Sequence, residues 1–157
     1  AVDEKAVDKW LTADGTLLRD RFEYSVNAVV SALLTDMGLA DESLGAYYLG
    51  KHAMSGKDYK AAQTWFQRAL ALDPGNLDAQ SGETVALARA GKLDEALAQA
   101  TALAEAAPEY APAAYNLAYW LAVEKKDAAA AQPWYDKAKA LGMDTPRKLD
   151  SAMAKRR

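Results

Sequence analysis

The chain has 157 residues, 51% of them hydrophobic, and carries a formal charge of −3. That length supports one full-sized core, and an acidic balance without a basic stripe argues against non-specific nucleic-acid binding, which works by displacing counterions. The absence of cysteine removes disulfides, thiolate metal sites and cysteine nucleophiles together.

No uninterrupted apolar run reaches the ~18 residues needed to span a bilayer, so membrane insertion is not expected. The sequence opens at Ala1 rather than at methionine, which suits a removed signal peptide or a trimmed start. An exported, periplasmic bacterial protein and a cytoplasmic one fit that opening equally well.

Taken from the amino end, Val2, Ala6, Lys9, Trp10 and Ala13 recur at helical spacing, with Asp3 and Glu4 placed well for the helix dipole. Asp14-Gly15 breaks this run and Thr16 can cap the next. From Leu17 to Met37 the apolar set Leu18, Phe22, Val26, Val29, Val30, Leu33, Leu34 and Met37 keeps a three-four pattern, predicting a long helix that Gly38 stops. Residues 1–41 are therefore expected to form an N-terminal helical pair.

Two amphipathic helices follow over 42–76. Asp41 or Ser43 caps the first and Gly56 closes it; Asp58 caps the second, from Tyr59 to Leu72, and Asp73-Pro74-Gly75 ends the unit. A second unit spans 77–110 and a third 111–143. Pro112 sits in the first turn of the third, where a missing N–H costs nothing. The third unit's second helix, Asp127 to Leu141, needs one extra residue before it to stay in phase. Pro133 lies within that helix and should kink it or delay its start. After Gly142, Thr145-Pro146 launches a last helix over 145–156, as a cap and a first-turn proline. Leu149 and Met153 are placed to cover the third unit, leaving Arg147 and Lys148 in water.

The turn prolines Pro74 and Pro108 stand 34 residues apart, a period that marks helix-turn-helix repeats. In the first unit Ala46, Leu49, Gly50 and Ala53 run down one helix, and Tyr59, Ala62, Phe66 and Ala69 down the next, before Leu72-Asp73-Pro74. This order resembles the tetratricopeptide repeat (TPR) family, over about residues 42–157. In the second unit Glu83 and Thr84 stand where leucine and glycine are usual, and Ala100 where an aromatic is usual, so thinner packing is expected there. Ala114, Leu117, Ala118 and Leu121, then Ala131, Tyr135 and Ala138, carry the third unit. The N-terminal pair lacks this register and reads as a degenerate repeat or a cap.

The resemblance implies an all-α fold of the TPR-type α-α superhelix class, a right-handed solenoid of antiparallel helix pairs with extra N-terminal helices and a C-terminal capping helix. It also implies that the first helix of each unit lines a concave groove. That face would carry Leu44, Tyr47, Lys51 and Met54, then Ser81, Val85 and Arg89, then Tyr115, Tyr119 and Ala122. Aromatic groups with a few fixed charges suit a peptide or a partner's helix. A clamp for chaperone C-terminal carboxylates is not implied. Tyr47, Lys51, Ser81 and Gly82 occupy places where such clamps carry lysine, asparagine and arginine, and Asn116 alone matches.

No catalytic constellation emerges. Gly50 to Asp58 has the wrong spacing for a phosphate loop and no preceding strand. The pairs Asp3-Glu4 and Asp94-Glu95 are adjacent, so on a helix they point apart. His52 has Lys51 and Lys57 rather than a carboxylate nearby in sequence, and the four tryptophans read as packing residues. The expectation is a non-enzymatic scaffold without cofactor or metal that binds a protein or peptide partner. The competing reading is a self-assembling structural protein, a homodimer whose seam is the long N-terminal helix or an end repeat.

Overall fold

The computed structural model describes residues 42–154, together with residues 29, 32 and 38. The helices expected over 1–13 and 17–37 lie outside the described residues, except that Val29 and Ala32 are helical and Gly38 has a left-handed φ of 71°. Among the described residues the chain is all-α. It divides into two compact units, Ala1–Asp73 and Pro74–Arg157. The first contains α1 (Ser43–Ser55) and α2 (Tyr59–Leu72). The second contains α3 (Leu77–Arg89), α4 (Leu93–Ala106), α5 (Ala111–Tyr119), α6 (Ala128–Ala140) and α7 (Arg147–Ala154). α1 packs on α2, α3 on α4 and α5 on α6, as antiparallel pairs.

Local chemistry sets the helix starts. Asp58, Asn76 and Asp127 sit at N-caps, and each side-chain oxygen accepts from the N–H three residues on, at Ala61, Ala79 and Ala130. α1 begins differently from expectation: Glu42 holds the cap position and its side chain makes no capping bond, so neither Asp41 nor Ser43 takes that place. The turn inside each pair requires one residue in the left-handed region. Lys57, Gly91 and Lys126 supply it, with φ of 60°, 85° and 59°. Gly56 closes α1 at its C-cap, as expected, and does so in a right-handed conformation. The Asp58 N–H reaches back to the Ala53 carbonyl at 2.9 Å, and this bond places the reversal at Lys57.

In the first pair, small residues let the helices approach and one aromatic fills the space. Ala46, Ala62 and Ala69 are fully buried and Phe66 is 1% exposed. A Cβ added at Gly50 would sit 2.6 Å from the Phe66 ring, well inside contact distance. In the second pair Thr84 stands in the place of Gly50 and Ala100 in that of Phe66, and both are buried. Thinner packing is visible beside them: an open crevice of 320 Å³ between α3 and α4, lined by Gln80, Glu83 and Thr84 on one side and by Gln99, Ala102, Leu103 and Ala106 on the other.

The third pair absorbs its extra residue before its second helix, as expected. Ser43, Leu77 and Ala111 open the first helices 34 residues apart, but Tyr59, Leu93 and Ala128 open the second helices 34 and then 35 apart. The added residue lies ahead of α6. It lies inside the first helix, where α5 continues through a wider π-helical turn at Trp120–Glu124, and the Lys125 N–H reaches the Trp120 carbonyl five residues back at 2.9 Å. Pro133 does not delay α6, which starts at Ala128 behind the Asp127 cap and carries Pro133 on its exposed side.

Candidate functional site

An open groove of 790 Å³ lies within residues 74–157, walled by α3, by α5 with its π-turn, and by the start of α7. α3, the turn after it and the first residue of α4 contribute Val85, Ala88, Arg89, Gly91 and Leu93. α5 and the π-turn contribute Tyr115, Asn116, Tyr119, Trp120 and Glu124, and the approach to α7 contributes Pro146 and Lys148.

Each wall has a packing reason. Leu87, Ala96, Ala100, Leu103, Ala113, Leu117 and Trp120 form one buried cluster, which fixes α3 and α4 against α5 and makes Trp120 part of the groove floor. Ala118, Ala122, Ala131, Leu149 and Met153 form another, seating α7 on the third pair as expected. A hydrogen-bond clamp fixes the start of α7: the Asp150 carboxylate accepts from Thr145 Oγ1 at 2.6 Å and from the Tyr135 hydroxyl at 2.8 Å. Thr145 therefore does not cap the helix through its side chain, and Pro146 precedes the first helical residue, Arg147. These donors, with Lys139 nearby, hold the Asp150 carboxyl below the usual carboxylate range.

Inside the groove the rings of Tyr115 and Tyr119 stack with centroids 6.3 Å apart, and Lys148 Nζ lies 5.5 Å from the Tyr119 ring centroid. Partial burial, then the neighbouring Tyr119, push the Tyr115 phenol above the ordinary tyrosine value, so it stays protonated and able to donate. Asn116 Nδ2 donates to Ser81 Oγ at 3.3 Å, tying α5 to α3.

Of the ten residues expected on the concave face, Val85, Arg89, Tyr115 and Tyr119 come together here. Ser81 and Ala122 do not line it. Ser81 is buried under Asn116, and Ala122, 5% exposed, packs with Leu149 and Met153. The π-turn explains Ala122. One inserted residue advances the helix phase, so Ala122 takes the inward place expected of Leu121, which is only half-buried. The other four belong to the first unit. There Tyr47 packs edge-on against Tyr48 and tilted against Phe66, Lys51 Nζ lies 5.8 Å and 5.9 Å from the centroids of the two tyrosine rings, Leu44 is 61% exposed and Met54 is half-buried. Glu124 and Lys148 were missed as groove residues. The phase shift carried one in, and the docking of α7 the other.

Among the described residues, no group of three or more histidine or acidic side chains is placed to hold a metal ion, and no helix is long and apolar enough to cross a membrane.

A family model for the tetratricopeptide repeat matches residues 21–76 and 85–146. The match reaches back to residue 21, upstream of the register seen in the sequence. Among solved structures, the Sgt2 TPR domain from Aspergillus fumigatus superposes with a TM-score of 0.62, covering 72% of this chain and 75% of that one. At 23% identity the likeness is one of fold. None of the curated proteins matches the chain.

Proposed function

Because the chain belongs to the tetratricopeptide repeat family, whose helix pairs serve protein–protein interaction, we propose that it is a non-catalytic adaptor holding a peptide or partner helix in the groove of residues 74–157. The observation that carries this reading is the groove itself. Stacked tyrosine faces and a tryptophan floor stand beside charged groups of both signs, Arg89, Lys148 and Glu124. Aromatic surface supplies contact energy at low entropic cost, and fixed charges orient what is bound. The π-turn supports the assignment, since such turns recur at functional sites, and this one brings Glu124 to the groove.

The test is affinity capture from the source organism with three proteins: the native chain, an Arg89→Ala/Tyr119→Ala variant, and a Glu105→Ala control on the exposed side of α4. Circular dichroism first establishes equal helicity. A partner retained by the control and lost by the groove variant supports the reading. A partner retained by all three places binding elsewhere, and self-association as the sole product favours a structural role.

A further inference from the structure

Resting on that reading, we propose that the groove recognises a segment carrying an acidic side chain next to an aromatic or long aliphatic one, and that it reads the acid through this side chain rather than through a free C-terminus. The charge balance points this way. Two cations, Arg89 and Lys148, face one anion, Glu124, in a chain whose formal charge is −3. Neither cation has a carboxylate partner among the described residues, whereas the neighbouring Lys125 is already matched to Asp94 across to α4. Lys148 is held over the Tyr119 ring, so its ammonium is placed beside the apolar surface that an aromatic or aliphatic neighbour would cover. The protonated Tyr115 phenol adds a donor for a carboxylate oxygen.

A reader of free C-termini gathers several donors at one point. Here Asn116 donates to Ser81, and Ser81 itself is buried, so those two do not form such a point. The acid is therefore bound laterally, between cations that come from α3 and α7.

The probe is a labelled heptapeptide pool, acetylated and amidated at its ends, with a fixed Glu-Phe pair and random flanks, followed by fluorescence anisotropy. Replacing the fixed Glu by Gln in the pool is expected to weaken binding about two- to five-fold, as is Arg89→Gln or Lys148→Gln in the protein. Glu124→Gln is expected to tighten binding by a similar factor. That opposite sign is a response that loss of fold would not give. Added salt should shrink all these differences, and freeing the C-terminal carboxylate should add nothing. Equal affinity for the Glu and Gln pools overturns the acid preference, and if Tyr119→Ala still abolishes binding the groove reading survives without it. Binding only by free-acid pools, or by none, also overturns the proposal. In the last case the affinity capture above judges the groove independently.

Discussion

The first and second helix pairs solve the same packing problem with opposite placements of bulk. In the first, α1 gives up its side chain at Gly50 and Phe66 of α2 occupies the space, its ring too close for any Cβ. In the second, α3 carries Thr84 and α4 only Ala100, both buried, with an open crevice alongside. The Thr84 hydroxyl is satisfied locally by donating to the Ser81 carbonyl at 2.7 Å, so burying it leaves no polar group unpaired. What the register demands is a matched pair of volumes across the helix crossing rather than glycine or an aromatic as such.

The largest effects should come from breaking one half of a pair. Phe66→Ala removes the filler while Gly50 remains, and should cost about 3–5 kcal/mol in chemical unfolding. Gly50→Thr against an unchanged Phe66 should cost about 1–3 kcal/mol, and so should Ala62→Leu beside it. The double variant Gly50→Thr/Phe66→Ala transplants the second pair's solution into the first, and should cost less than the sum of its parts. Strict additivity would mean that the two positions do not share one space. Leu149→Ala, by removing a fully buried contact of α7, should cost about 2–5 kcal/mol and loosen Lys148 and Pro146 at the groove.

Smaller effects concern charge and backbone. Because hydrogen bonds lower the Asp150 carboxyl in the folded state, its contribution is full above the usual carboxylate range and is lost as pH falls through the lowered value. Asp150→Asn should therefore flatten the acid side of the stability–pH profile and leave its alkaline side unchanged. The smallest changes should come at the turns. Lys57→Gly and Lys126→Gly relieve left-handed lysines and should each stabilise by about 0.5–1 kcal/mol, whereas Gly91→Lys should destabilise by a similar amount.

The comparison also explains what could be read from the sequence. The bounds of α2 were legible because Asp58 and the Asp73-Pro74 turn are local signals. The site was half legible. Val85, Arg89, Tyr115 and Tyr119 share helical faces that periodicity exposes. Ala122 misled, since a five-residue π-turn carries no compositional mark, and only the 35-residue interval from Leu93 to Ala128 betrays it. Lys148 reaches the groove through the docking of α7, a tertiary event that no local pattern encodes.

The most direct measurement is site-specific photo-crosslinking in the source cell, with a benzoylphenylalanine placed at Ala88 in the groove or at Ala98 on the exposed side of α4. A discrete adduct to another protein from position 88 and none from position 98 is the predicted result. Adducts of equal yield from both positions, or from position 98 alone, would contradict the assignment of the groove as the binding site.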